Sequence, residues 1–384
     1  MRHFYRQGYA AAAGLLIALA AALCLAQSAR PAGNLPAQLS DDAFWKLVVD
    51  FSAPGGSFPF ENFMSNEDGF QTVIPELKKT VRPGSVYLGV GPEQNFTYIS
   101  ALRPGMAFII DIRRQNMLEH LLYKSLFEMS PDRVQFISRL FSRPAPAGLA
   151  AGATAESLFR AFEKAAADRK LYDASLQEVY DRLTKTHKFS LSTEDRQGIA
   201  KVYSAFFEGG PRMDYRFNNN GGPAPSQGAT YTELMTATDR EGRNWSYLET
   251  EENFRVVQEY ERKNLIIPLV DDFAGEKSIR AIAKYVKDRN EVVGVFYTSN
   301  VDQYLFQDRV EDLFYANVGT LPIDASSAFI RTINTSGRSG RNVADVQATA
   351  GNQWAVLLCP IADVLKAANA GEILSQRDVN RMSH

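Results

Sequence analysis

Cysteine is close to absent from this chain: Cys24 and Cys359 are the two among 384 residues. Residues 1–28 read as an export segment, so its removal would leave one cysteine and no internal disulfide. Cys359 follows the apolar run Trp354 to Leu358 and reads as a small buried hydrophobe. Histidine is scarce too, with His3, His120, His187 and His384 only. None has a companion at the spacing that zinc requires, which argues against a metal centre. Short pairs such as Lys78-Lys79 are the nearest thing to a basic run, and the formal net charge is −2. That balance argues against a nucleic-acid partner. The phosphate-binding pattern G-x-x-x-x-G-K-[ST] is missing. So is the G-x-S-x-G nucleophile pattern; Gly337-Arg338-Ser339-Gly340 misses it and reads as a flexible loop.

What is present begins at the N-terminus. Arg2 and Arg6 precede an uncharged run from Tyr9 to Ala26, mostly Ala and Leu, followed by Ala26-Gln27-Ser28. A charged start, an apolar middle and small residues after it are the layout of a secretory signal, with cleavage after Ser28. As a helix the run spans roughly 27 Å, so an uncleaved membrane anchor is the rival reading. Both readings place the remainder outside the cytosol, because the arginines stay on the cytoplasmic side. A buried helix is the third reading, and the lack of a polar face speaks against it. Loss of residues 1–28 removes Arg2 and Arg6 and no acid, moving the charge from −2 to −4. Contact with a membrane is expected only through this segment.

Residues 29–40, rich in Pro and Ala, read as a linker, 41–370 as one domain and 371–384 as a tail. Val86 to Val90 and Met106 to Ile110 are short apolar runs around a helical stretch, Gln94 to Leu102, which makes a βαβ unit. Helical periodicity then dominates: Met117 to Met129, Ser130-Pro131 onward to Phe141, Glu156 to Leu171, Asp173 to Lys185, and Thr193 to Phe207. Ser192 and Asp195 have the spacing of a capping box. The region of about 115–207 is expected to form an inserted helical cap, and 208–228 a loop. Strands are expected again near Ser246 to Leu248, at Leu265 to Val270, Val292 to Tyr297, Phe329 to Ile333 and Trp354 to Leu358. Helices are expected at Glu276 to Asp288 and Val301 to Tyr315. The alternation predicts an α/β fold, Rossmann-like, with a doubly wound, mostly parallel sheet.

Three sets of residues fall at strand C-terminal ends, where open α/β sheets bind ligands. The first is Gly89 and Gly91 with Asp111. The glycines leave backbone open to a ligand at a helix N-terminus, and Asp111, twenty residues after Gly91, can accept bonds from ribose hydroxyls. The other reading is a tight turn and a loop cap. Gln94, Asn95 and Tyr98 add a polar rim. The second set is Asp271-Asp272, a base, part of a cation site, or a helix cap. The third is Tyr297, Thr298, Ser299 and Asn300, with hydroxyl and amide groups, where Asn300 also suits an N-cap.

Four blocks together resemble a known family: Gly89-Val90-Gly91-Pro92-Glu93-Gln94-Asn95-Phe96-Thr97-Tyr98; Ile110-Asp111-Ile112-Arg113-Arg114; Val270-Asp271-Asp272-Phe273-Ala274-Gly275; and Phe296-Tyr297-Thr298-Ser299-Asn300-Val301-Asp302-Gln303-Tyr304. They look like an uncharacterised bacterial family whose Rossmann core is similar to class I S-adenosylmethionine-dependent methyltransferases. The likeness covers roughly residues 40–335. It implies that Gly89 and Gly91 lie beside the methionine part of adenosylmethionine and that Asp111 holds its ribose. The chain departs from methyltransferases at Tyr87, where an acid is usual, and at Glu93, which replaces a third glycine and is expected near the ligand's own carboxylate. The expectation is therefore an exported, methyltransferase-like Rossmann protein with a small-molecule pocket at the strand edge. Two roles stay open: binding or structure in the cell envelope, and methyl transfer from adenosylmethionine.

Overall fold

The runs that read as strands are apolar along their whole length because helices cover both faces of the sheet they form. In the computed structural model, which describes residues 33–59, 62–150, 152–215, 228–334 and 354–383, α1 (Asp41–Phe51) and α2 (Ile74–Thr80) come first. β1 (Val86–Gly89), α3 (Gln94–Leu102) and β2 (Met106–Asp111) make the βαβ unit. After them come α4 (Arg114–Met129), α5 (Arg133–Phe141), α6 (Ala155–Phe162), α7 (Arg169–Asp181), α8 (Thr193–Gly209), α9 (Tyr231–Thr236) and α10 (Glu251–Arg262). The chain then re-enters the sheet through β3 (Ile266–Val270), α11 (Ser278–Lys287) and β4 (Val293–Ser299). It ends with α12 (Val301–Asp308), α13 (Glu311–Val318), β5 (Ala328–Asn334), β6 (Trp354–Pro360), α14 (Ile361–Asn369) and α15 (Gln376–Arg381).

The strands lie in the order β3-β2-β1-β4-β5-β6, all parallel except β6, which runs antiparallel to β5. This is a Rossmann-like sheet. The chain winds outward from β1 through β2 to β3, then crosses back to β4 on the other side of β1. The carboxyl ends of β1 and β4 therefore bound a topological switch point, the place where such sheets leave a crevice.

α4 follows the first unit and packs against β2 and β3 as well as α8 and α10. Thirteen of its residues are buried, including the polar Asn116, Glu119, His120 and Lys124. Phe96 of α3 meets Phe127 of α4 at 5.2 Å between ring centroids, and Phe127 stacks on Phe136 of α5 at 4.4 Å. Each such fully buried ring contributes about 2 kcal/mol. The helical layer thus clamps the start of α3, which carries the polar residues behind the crevice.

Several expectations need correction. The inserted helices begin with α5 and run on to α10, because α4 is the crossover helix of the sheet itself. Ser246 to Leu248 is a turn. Its amides bond to side chains instead of a ladder, Ser246 to Asn244 at 2.7 Å and Leu248 to Ser246 at 3.1 Å, while Tyr247 is buried among the rings. The helix expected at 156–171 stops at Phe162, and α7 starts afresh at the Asp168 cap. That expected at 301–315 breaks at Arg309, whose φ is 59°. The capping box of Ser192 and Asp195 is formed. The end of the linker packs on the domain, with the Leu39 amide donating to the Lys263 carbonyl at 3.0 Å. The expected tail forms α15, whose Asn380 side chain receives the Arg331 guanidinium at 3.1 Å. Cys359 is buried. Among the described residues no helix is long and apolar enough to cross a membrane. The export segment at 1–28, the start of the linker, His3, His384, Gly337 to Gly340 and the middle of the 208–228 loop lie outside the described residues.

Candidate functional site

β1 ends in Gly89 for a steric reason. A Cβ there would stand 2.0 Å from Asn95 Oδ1 and 2.8 Å from Tyr87 Cε1. The vacated space lets Asn95 reach under the following loop. Its Nδ2 donates toward the carbonyls of Val90, Gly91 and Pro92 at 3.0, 3.1 and 2.8 Å, and its Oδ1 accepts from the Tyr87 hydroxyl at 2.9 Å. His120 of α4 takes the same Gly91 carbonyl at 2.9 Å. A carbonyl accepts, so Nε2 carries the hydrogen. Burial pushes the His120 pKa down to about 4, so the ring is neutral at pH 7. Gly91 itself has φ 76°, with no atom within 4 Å of where a side chain would begin. The positive φ favours glycine, and the empty space beside it leaves bare backbone facing the crevice.

That crevice is a hollow of about 330 Å³ at the switch point, within the range of small-molecule sites. Its walls are the ends of β1, β2, β3 and β4 (Val90 to Pro92, Ile110 to Arg113, Asp271 to Phe273, and Tyr297, Ser299 and Asn300), the first turns of α12, and a roof from residues 57–59, 62 and 65–67. Of the inserted region, only Tyr215 among the described residues reaches it. A second hollow of about 300 Å³ opens beside the start of β1 and holds no acidic side chain. Its Lys78 donates to the Ala101 carbonyl at 2.8 Å, and its Arg103 pairs with Glu252 at 2.8 Å. The acidic side chains gather at the first hollow.

Gly91, Asp111, Asp271, Asp272, Tyr297 and Asn300 line this hollow together; Gly89, Gln94 and Asn95 do not. The last two are buried and hold its wall in place. Gln94 donates to Glu67 Oε2 at 2.8 Å, and Asn95 makes the clamp described above. Glu93 also turns away from the hollow. Fully buried, it accepts the Ser65 amide at 3.2 and 3.3 Å, and burial pushes its pKa up to about 7.

Asp111 is engaged by its own neighbour. The Arg113 guanidinium grips it in a fork, Nε to Oδ1 at 2.9 Å and Nη2 to Oδ2 at 2.8 Å, and the Arg113 amide adds a third bond at 2.9 Å. Such bidentate pairs are strong and oriented. Burial by itself would lower the Arg113 pKa, but the Asp111 carboxylate outweighs it and holds the guanidinium above its ordinary value. Asn62 of the roof takes the remaining edge of Arg113. Asp271 is likewise a cap: its Oδ2 accepts the Ser278 amide at 2.6 Å and its Oδ1 the Asp272 amide at 2.9 Å. Asp272 accepts the Ala274 amide at 2.9 Å and stays exposed. Asn300 precedes α12 but makes no side-chain cap.

The centre of the hollow is a residue that sequence reasoning missed. Glu67, 2% exposed, brings its carboxylate to the end of β4 and the start of α3. Its Oε2 accepts from the Tyr297 hydroxyl at 2.9 Å and from Gln94, and its Oε1 from the Ser299 hydroxyl. Burial raises its pKa above the usual carboxylate value, against the pull of these donors. Ser299 makes the contact because it has φ 53° at the end of β4, where the pairing with β5 also shifts register. A left-handed serine is strained, and such strain concentrates at functional sites. Glu67 lies in an irregular loop without periodicity. Tyr297 and Ser299, two apart at a strand end, were the one signal that something is held there.

A family described as a domain of unknown function (DUF7790) matches residues 62–382, which include every wall of the hollow except Ser57, Phe58 and Pro59. No curated protein matches the chain.

Proposed function

We propose, for a chain that belongs to the DUF7790 family of unknown function, that it is an exported Rossmann-like protein whose strand-end hollow binds a small polar ligand in the cell envelope. The location rests on Arg2, Arg6 and the run from Tyr9 to Ala26. One observation carries the binding reading. The hollow stays open onto bare backbone at Gly91, while the acid suited to a nucleotide ribose, Asp111, is already satisfied by Arg113. Charge narrows the ligand class. Glu67, Asp111, Asp271, Asp272 and Asp308 face one cation, Arg113. An anion is disfavoured, and a neutral polyol, glycan fragment or cation is favoured. Phe58, Phe273 and Tyr304 supply rings for the apolar face of a sugar. Thermal-shift screening of envelope sugars and amines on the purified protein tests this. A ligand that raises the melting temperature should lose its effect in Asn300→Ala. Absence of any shift across the set contradicts the reading.

Methyl transfer from adenosylmethionine is the second reading, favoured by the open Gly91 at the switch point and by the methyltransferase-like core. As they stand, the residues do not fit that cofactor, because Arg113 occupies Asp111 and Asp271 caps α11. Titration calorimetry with millimolar adenosylmethionine separates the two readings. Heat that disappears in Asp111→Asn favours methyl transfer, and no heat removes it.

A further inference from the structure

β4 runs directly into α12 through Ser299, the strained residue at φ 53°. A strand, a left-handed serine and then a helix form a sharp turn that presents a hydroxyl at the top of a sheet. Nucleophilic serines in α/β hydrolases are presented on such a turn, there within a glycine-flanked motif that this chain lacks. Three further features surround Ser299. Its hydroxyl donates to Glu67 Oε1; the other acceptor in reach, Asn300 Oδ1, is farther away at 3.3 Å. The Glu67 carboxylate is in turn oriented by Tyr297 and Gln94 at 2.9 and 2.8 Å on its second oxygen. A nucleophile bonded to a base that a third group orients is the general signature of covalent catalysis. Ser299 is part-exposed and lines the hollow together with Asn300 and Val301, at the start of a helix whose first turn no side chain caps. Uncapped amides there are suited to stabilising a developing oxyanion.

We propose that Ser299 is an acyl-accepting nucleophile with Glu67 as its general base, and that the hollow cleaves esters of neutral or cationic alcohols. This goes beyond a binding role and rests on the hollow admitting a ligand. As Ser299 Oγ bonds to the acyl carbon, its proton passes to Glu67 Oε1 and the carbonyl electron pair moves onto oxygen. When that pair returns, the bond to the alcohol oxygen breaks and the alcohol leaves with the proton from Glu67. Water then attacks the acyl-serine and gives a proton to Glu67. The bond to Oγ breaks, the acid departs, and Oγ recovers the proton. Burial of Glu67 raises its affinity for the proton it must hold during each half.

The test is covalent labelling of the full chain with a fluorophosphonate probe, read by intact mass and peptide mapping, alongside hydrolysis of p-nitrophenyl acetate. The expected result is a single adduct on the peptide carrying Ser299 and ester turnover that rises as Glu67 loses its proton. Ser299→Ala should abolish both, and Glu67→Gln should slow both by at least about 100-fold, with far-UV circular dichroism showing that each variant is folded like the parent. No adduct on the parent, or an adduct and turnover that persist in Ser299→Ala, overturns the proposal. A polyol-induced shift without labelling overturns the nucleophile and leaves the binding site standing. Neither shift nor labelling overturns both.

Discussion

Replacing Glu93 by glutamine removes one titrating group from behind the glycine loop, and the effect on stability can be worked out beforehand. Burial is the largest influence on this carboxyl; its own amide and that of Ser65 pull the other way, and Glu67 adds to the rise. The result is a pKa moved from 4.5 to about 7. At about 1.4 kcal/mol per unit the shift corresponds to roughly 3 kcal/mol. The folded state binds this proton more tightly than the unfolded chain does. The contribution is therefore fully present below pH 4.5 and is lost as pH rises through 7. Urea unfolding of parent and Glu93→Gln across this window isolates the term, because the other groups are common to both. The stability of the parent relative to the variant should fall by about 3 kcal/mol between the two ends, with unchanged m-values. Parallel pH profiles, or a parent that gains on the variant as pH rises, would refute the reasoning that the carboxyl sits buried and neutral against Ser65.

Other expectations follow from the same geometry. His120, lowered from 6.5 to about 4 by burial, contributes stability that is present above pH 6.5 and lost as pH falls through 4; acid unfolding of His120→Gln should lack that limb, worth about 3 kcal/mol. Asn95→Ala takes this donor from the Val90 and Pro92 carbonyls and the acceptor from the Tyr87 hydroxyl, while the Gly91 carbonyl keeps His120, and should cost about 3 kcal/mol in denaturant unfolding. Arg113→Ala strands the buried Asp111 and should cost about 3 kcal/mol or more, whereas the double variant with Asp111→Ala should recover part of it. A double-mutant cycle showing additive losses would contradict the ion pair. Ser299→Gly should raise the melting temperature, since glycine adopts φ 53° without strain, and a lower melting temperature would show that the hydroxyl contributes more than the strain removes.

What was legible in the sequence tracks how local the causes are. β1, α3 and β2 were readable because unbroken apolar runs around a helical stretch are short-range signals. The start of α8 was readable because a capping box is complete within four residues. Tyr247 misled because its burial comes from Phe96, Phe127 and Phe136, which are distant in sequence. The glycine pair was visible, but not the different roles of its members: Gly89 makes room for Asn95, and only Gly91 faces the hollow. Asp111 looked free because its ion pair runs to a residue two positions on, past a strand end, where side-chain direction does not follow from alternation. Glu67 was illegible, since it lies in a loop and is defined by contacts to Gln94, Tyr297 and Ser299, up to 232 residues away. No residue type advertises the left-handed turn at Ser299, where glycine or asparagine is the usual signal.

Crystallographic fragment soaking, using neutral polyols and small amines, puts the central claim to the most direct trial. Density should collect in the hollow between Gly91 and Tyr297, in contact with Asn300 and the Glu67 pocket wall. Fragments that bind elsewhere on the protein while this hollow stays vacant, or a hollow closed by Phe58 and Tyr304 in the crystal, would contradict the account.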